Sequence, residues 1–533
     1  MKERLIENWL TKTDERGFQT TFYQLLIAQG YKIIHLSKHT AFEQGKDIIA
    51  IKPDGTPCSY QLKVGDISLN DWRLTIRPEV DDLLDTQIKH PSITPHHEHE
   101  SWLVTTGDLS DTVRIDIDDR NNKRVHNGKL PLFVKVKGEL ISDFLSIHEH
   151  YFPIEPKDLK RFLELYMADG KSEIPKAEYS NFLFSTLPFF KSSLSSRELT
   201  RAISSTILLA NYIVESYRRS ENHWGVVEAW VLTLMYIFAL LEFAGKNPKD
   251  EEQSIKLLEL LIEQALIDLK NEVVSRRDYL FEDGIFDPPM YKFRTTLIAG
   301  WLSGYVLFNL FRENHYNNDE SILDLIEQSL LPLNLWGEAA LPSFLNLMWN
   351  YAAYSKNQQR DSVLENLLRL YIEKFTGKKN VGLLNPYYGV DIGVRIETNT
   401  LKEPIFESFS IGSYSIESLI CLAARYGLRD CLSSLWKPIS YLQCFQFDPR
   451  EKWENYLWRS EHGELKSRLP SQSQSWIKLC SESNIDEDNE LPQGLLLYPE
   501  LLPLFIMVYP HRIKPMLVKR IDSLIKSILS KEK

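Results

Sequence analysis

Cysteine is scarce in this chain. Five occur among 533 residues, Cys58, Cys421, Cys431, Cys444 and Cys480. The number is odd and no CxxC pair is present, so a disulfide framework or a zinc site built on paired thiolates is excluded, and reduced, mostly buried thiols in a cytoplasmic protein are expected. A basic excess is missing too. Lys plus Arg number 62 against 73 Asp plus Glu, a net charge of -11, which argues against a general nucleic-acid coat. Residues 1–150 alone hold 19 Lys plus Arg and 23 Asp plus Glu, a balance of 19 − 23 = −4. Any DNA contact therefore uses a local patch, with a metal ion meeting part of the phosphate charge.

Long apolar runs are also lacking. Trp230 to Leu241 stops at Glu242, and Leu297 to Phe311 is broken by Gly300, Gly304 and Asn309. Both are shorter than the roughly 18 uninterrupted residues of a membrane span, and both read as buried core helices. The opening Met1-Lys-Glu-Arg-Leu-Ile-Glu-Asn-Trp is amphipathic and has no secretory signal pattern. No repeat of about 34 residues and no Gly-rich phosphate loop of recognised spacing is found. What remains is ordinary globular composition, 43% hydrophobic and 25% charged, over a length that predicts two or three domains.

The most informative stretch is Gly45-Lys46-Asp47-Ile-Ile-Ala-Ile, Lys52-Pro53-Asp54-Gly55-Thr56-Pro57, Cys58-Ser59-Tyr60-Gln61-Leu62-Lys63. An apolar run opened by a carboxylate, a segment dense in Pro and Gly, and a second run predict a β-hairpin. Side chains alternate along a strand, so Gln61 and Lys63 share a face and Leu62 takes the other. Antiparallel pairing then sets Asp47 near Gln61 and Lys63. Two oxygen ligands and an ammonium in one small volume suit phosphodiester hydrolysis. A hard cation such as Mg2+ (or Mn2+) takes oxygen ligands, keeps waters and completes its shell with substrate phosphate. Lys63 would hold the attacking water and meet developing negative charge. The same residues also describe a surface hairpin with a solvated Asp and Lys.

With its surroundings, the segment resembles the PD-(D/E)xK nuclease superfamily, in particular the Mrr-like type IV restriction and anti-phage effector branch, over roughly residues 1–145. The resemblance implies an α/β restriction-endonuclease-like N-terminal domain. Gly17-Phe18-Gln19 to Gly30-Tyr31 looks like its first helix, residues 31–36 its first strand, residues 79–89 its second helix, and Ser101 to Gly107 its later core strand. Lys137 to Leu145 resembles the stretch that closes such domains. The implied site is Asp47 and Gln61 as metal ligands, Lys63 as catalytic cation and Gln19 at the edge. Gln61 stands where the superfamily usually has Glu or Asp, and Gln19 where the first helix often has Glu. Asp47 is thus the one anionic ligand placed by the motif, with Glu43 and Glu15 as residues able to add charge. Low metal affinity, or a site completed only when substrate phosphate arrives, follows from those departures, and the competing reading is a nuclease fold that only binds.

Beyond residue 146 the pattern turns helical. The segment Ser146 to Pro156, with two prolines, marks a boundary. Helices are expected near 157–169, 195–219, 223–245, 250–275, 291–312, 319–332, 340–355 and 359–375, an irregular all-α array over 157–375. From 376 to 404 glycines, Pro386 and the alternating run Val390-Asp-Ile-Gly-Val-Arg-Ile predict a long loop or small hairpin. A helical C-terminal region is expected over 405–533, broken by the acidic loop Ser483 to Pro492.

Weaker candidates are His96-His97-Glu98-His99-Glu100, metal-type residues without ligand spacing, and the C-terminal cations Arg512, Lys514, Lys519, Arg520, Lys526, Lys531 and Lys533. The first reads as a polar loop, and the second as a solvated basic face or a contact for an anionic partner. Arg218-Arg219 and Arg276-Arg277 fit interhelical ion pairs. The whole predicts a Mg2+-dependent DNA endonuclease of bacterial anti-phage defence, cytoplasmic and not membrane-bound. Its helical region would sense a trigger, bind another protein of the same system or oligomerise. The alternative is an inactive nuclease-fold scaffold.

Overall fold

The computed structural model describes residues 1–36, 46–88, 90–93, 98–191, 193–276, 288–313, 321–328, 333–376, 385–398, 400, 412–460, 463–469, 475–485 and 491–531. Two compact units result: Met1–Asn222 with Lys249–Glu259, and His223–Pro248 with Leu260–Lys533.

The first unit opens with α1 (Lys2–Lys12) and α2 (Glu15–Ala28). Asp14 caps α2, accepting the Gly17 N–H at 2.7 Å, which satisfies one of the amides a helix start leaves open. Three strands follow, β1 (Lys32–Leu36), β2 (Ile48–Ile51) and β3 (Pro57–Lys63). The expected hairpin is present: Ile48 pairs with Tyr60 and Ile51 with Pro57. Its turn closes through Lys52 N–H to Thr56 O and Gly55 N–H to Lys52 O, both 2.9 Å. Gly55 sits there at φ +91°, a conformation that costs a residue with a Cβ far more than glycine.

A short helical turn (Leu69–Asp71) and a π-helical turn (Trp72–Ile76) lead into α3 (Arg77–Asp85). Then come β4 (Glu100–Thr105), α4 (Asp111–His126), β5 (Leu132–Lys135) and α5 (Lys137–His148). Strand order follows chain order, with β1, β2 and β3 antiparallel and β4 and β5 added parallel to β3. The middle strand, β3, is buried from Pro57 through Leu62, as expected of a strand covered on both faces. On one face Leu103 packs with Trp72, Ile76, Val80 and Leu83 from the α3 side and Val113 and Ile117 from α4. On the other, Phe22 of α2 meets Tyr60 at 5.3 Å, and Trp102 stacks on Phe133 at 4.9 Å.

The helix α2 is buried from Gly17 through Ala28, which no single amphipathic stripe can achieve. Its second face meets α8 (Ser196–Arg219), which follows α6 (Pro156–Tyr166) and α7 (Lys176–Thr186). Gln24 donates to Ser204 Oγ at 2.7 Å and to Ser254 Oγ at 3.2 Å, and Asn211 donates to Thr21 Oγ1 at 2.7 Å. Each such buried pair adds about 1 kcal/mol, and losing one partner costs more than the pair adds. The helices α1, α4 and α7 were not expected. In α4 only Val113 and Ile117 are buried, too few to print a helical period on the sequence.

The second unit is largely helical, with long helices at His223–Phe243, Pro288–Glu313, Leu341–Ala353, Asn357–Thr376 and Pro515–Lys531. His223–Phe243 extends well past the apolar run read from the sequence. By length and composition it could cross a membrane, and 89% of its apolar window is buried within the protein. Two features differ from expectation. The C-terminal region is not all helix, because Gly412–Ser413, Gln443–Asp448 and Glu464–Arg468 form a three-stranded sheet, β6, β7 and β8. Every residue of β8 is exposed, so it carries no apolar alternation and exists by pairing with β7. The run Val390–Glu397 is a helix of eight residues, not a hairpin; with Val390 buried and Gly393 set against Trp336, so short a run satisfies either period.

Candidate active site

The hairpin register brings the start of β2 beside the end of β3. The Asp47 N–H donates to Tyr60 O at 2.9 Å, and Asp47 Oδ2 accepts the Leu62 N–H at 2.6 Å. The carboxylate therefore lies against the peptide that joins Gln61 to Leu62. Gln19 reaches the same residue from α2, its side-chain amide donating to Asp47 O at 3.3 Å. That contact fixes the backbone of Asp47; it is made to the carbonyl, not to the carboxylate.

Gln61 is the register partner of Leu103, so it faces the α3 side of the sheet. It is 5% exposed, and its Oε1 has no hydrogen-bond partner. Lys63, on the same face at the strand end, pairs with Glu79 of α3 at 2.7 Å and stands 3.8 Å from Glu15 of α2. The structure thus joins Asp47 to the 61–62 peptide, Gln19 to Asp47, and Lys63 to two carboxylates. Glu43 lies outside the described residues.

A hard cation prefers oxygen ligands. Asp47 and Gln61 supply two, and the orphaned, buried Gln61 Oε1 is an oxygen that such an ion would satisfy. Among the described residues no group of three or more His, Cys, Asp or Glu is arranged to hold a metal. An ion held here would take two oxygens from the protein and would need water and phosphate to complete its shell.

Two residues were missed in the sequence. Glu79 follows Lys63 by one crossover and one helix, and no spacing rule connects them. Lys46 is buried, its Nζ has no hydrogen-bond partner, and burial pushes its amine down to about 8, with Asp82 acting in the opposite direction. Its signal was available, because Lys46, Ile48 and Ala50 are alternating buried positions and the period of β2 extends back to it.

The weaker candidates resolve as follows. His96 and His97 lie outside the described residues. Glu100 is tied to Lys52 at 2.5 Å and accepts from Trp102 Nε1 at 3.0 Å, and His99 Nε2 lies 3.4 Å from Leu83 O. The C-terminal cations do not form one solvated face. Arg512 is 5% exposed, stacks 3.5 Å over Phe447 and donates to Leu457 O. Lys519 donates to Glu482 O at 2.7 Å, and Lys526 pairs with Asp522 at 2.8 Å. Arg218 joins Asp14 at 3.0 Å and, with Arg219, Glu215 of its own helix; Arg276 pairs with Glu272 one turn back, and Arg277 lies outside the described residues.

Comparison with protein-family models, curated proteins and solved structures finds no match to this chain.

Proposed function

We propose that the first unit is a metal-dependent DNA endonuclease of the restriction-endonuclease-like type, working as a regulated effector in bacterial anti-phage defence or restriction. The observation that carries this reading is the Asp47 carboxylate held on the Gln61–Leu62 peptide of a central strand that ends in Lys63. A helix, an antiparallel meander, a second helix and a parallel strand, in that order, give it a setting in keeping with the family resemblance.

Asp47 and Gln61 would hold Mg2+ or Mn2+, which when bound supplies Lewis acidity toward the phosphate and a more acidic water. Asp47 keeps its place because its carboxylate also serves the Leu62 N–H. Gln19 holds the Asp47 backbone from α2. Lys63 stabilises negative charge on the phosphate oxygens, a role that a compact ammonium performs best once desolvated by substrate. Its ion pairs with Glu79 and Glu15 orient it. The second unit, largely helical, would sense a trigger, bind a protein of the same system or mediate self-association.

The test is cleavage of plasmid and linear DNA by the purified protein with Mg2+ or Mn2+, beside Lys63→Ala and an EDTA control. Loss of cleavage in both controls supports the reading. A wild type that stays inactive with cell extract and candidate partners added defeats it. That result would favour the scaffold reading, which draws on the lack of a grouped set of metal-type residues among the described residues and on the ion pairs of Lys63.

A further inference from the structure

A second site lies away from the β2–β3 hairpin, in the same compact unit. The segment after α5, with the end of α7 and the starts of α6 and α8, lines a half-open cavity of about 370 Å3. Its volume falls in the range that takes small organic ligands. The walls are apolar on two sides, with Tyr151, Phe152 and Pro153 from one segment and Leu187 and Pro188 from the other.

The charges around the cavity are unequally satisfied. Asp158 is held by Arg161 at 2.9 Å, and Glu198 by Lys191 at 2.8 Å. Glu198 is also committed to a capping box with Ser195 at the start of α8. Arg201, one turn further along α8, lines the cavity and has no ion pair among the described residues. Its Nε is buried and has no hydrogen-bond partner. A buried guanidinium N–H left unmade costs the fold the full desolvation of that donor. The orphaned Nε is closed to the cavity, and an anionic oxygen there would meet the outer nitrogens of the guanidinium in a charge-assisted bond. Glu155, also in the lining, is exposed to solvent.

We infer that this cavity binds a small organic anion that carries a ring, with the anionic group on Arg201 and the ring between Tyr151 and Leu187. A nucleoside monophosphate and an aromatic carboxylate share this chemistry. A planar fork suits either carboxylate or phosphate, and the apolar walls suit either ring.

The experiment uses the full chain and three probes, AMP, UMP and 4-hydroxybenzoate, titrated by calorimetry against wild type and Arg201→Met. Methionine keeps an unbranched apolar stem and removes the fork, so the helix stays intact, which circular dichroism verifies. Leu187→Trp, which adds bulk to the lining and leaves Arg201 in place, is the second variant. The expected result is binding of at least one probe to wild type with Kd below about 1 mM, weakened at least about tenfold in both variants. Preference for AMP and UMP over 4-hydroxybenzoate assigns a nucleotide, and the reverse assigns an aryl acid. No binding by any probe, or binding of equal strength in wild type and Arg201→Met, overturns the inference. Neither outcome depends on DNA cleavage.

Discussion

Asp47 Oδ2 accepts the Leu62 backbone N–H at 2.6 Å, so one carboxylate serves both as a strand-pairing acceptor and as the anionic group of the candidate site. The two duties separate by substitution. Asp47→Ala leaves the Leu62 N–H of the middle strand without an acceptor and is expected to lose about 1–3 kcal/mol of stability. Asp47→Asn keeps an oxygen in place and should lose clearly less. DNA cleavage should vanish in both. Urea unfolding of the three proteins measures the difference; equal losses for Ala and Asn would mean that charge, not the acceptor, holds the peptide.

Lys63 and Glu79 stand 2.7 Å apart with side chains 20% and 40% exposed. Solvent screens such a pair, so a double-mutant cycle with Lys63→Ala and Glu79→Gln should return less than about 1 kcal/mol of coupling. Their effects on cleavage should differ widely. Lys63→Ala is expected to slow it at least about a hundredfold, whereas Glu79→Gln, which leaves the ammonium in place, should retain most of it. A large loss in Glu79→Gln alone would make that carboxylate part of the site.

Gly107 follows β4 at the same end of the sheet as Lys63. A Cβ there would meet Gly65 C at 2.2 Å and Asp66 N at 2.3 Å, both backbone atoms that no rotamer change can clear. Gly107→Ala should therefore cost about 1–3 kcal/mol or more and displace the end of β3. Gly138, in the first turn of α5, has nothing within 4 Å of an added Cβ. Gly138→Ala should stabilise by up to about 1 kcal/mol. Thermal melts of the two variants, shifted in opposite directions, test the pair.

His148 is fully buried, with Nδ1 2.8 Å from Ser205 Oγ and Nε2 3.3 Å from Tyr212 OH. Burial, and secondarily the charge of Lys2, push its imidazole down from 6.5 to about 3. Between those values the unfolded chain binds a proton that the folded chain refuses. The contribution is therefore fully present above about pH 6.5 and is lost as pH falls toward 3, with a slope approaching about 1.4 kcal/mol per pH unit. Denaturant unfolding from pH 4 to 8 should show this slope in wild type and a shallower one in His148→Gln. Equal slopes would place the titration elsewhere.

Much of the candidate site was legible because its signals are local. A carboxylate opening an apolar run, a Pro and Gly turn, and a Gln-Leu-Lys ending predicted the hairpin, in which Asp47 meets the 61–62 peptide. Burial of Lys46 was equally local, one more step of the same period. Glu79 was not, because nothing in a helix's own sequence says which strand end it will face. The strand β8 escaped for a related reason: exposed on every residue, it is held by partner backbone and not by any pattern of its own.

The sequence by itself determined what local composition and turn chemistry specify: the hairpin, the long helices after residue 195, and the change near residue 146 from mixed structure to helix. Only the tertiary structure decided what lies beside Lys63, that α2 is buried on two faces, and that Arg201 opens into a cavity without a partner. Those facts depend on which distant surfaces meet. A hydrogen bond such as Gln24 to Ser204, across 180 residues, leaves no trace in local periodicity, because its free energy exists only once both helices have packed.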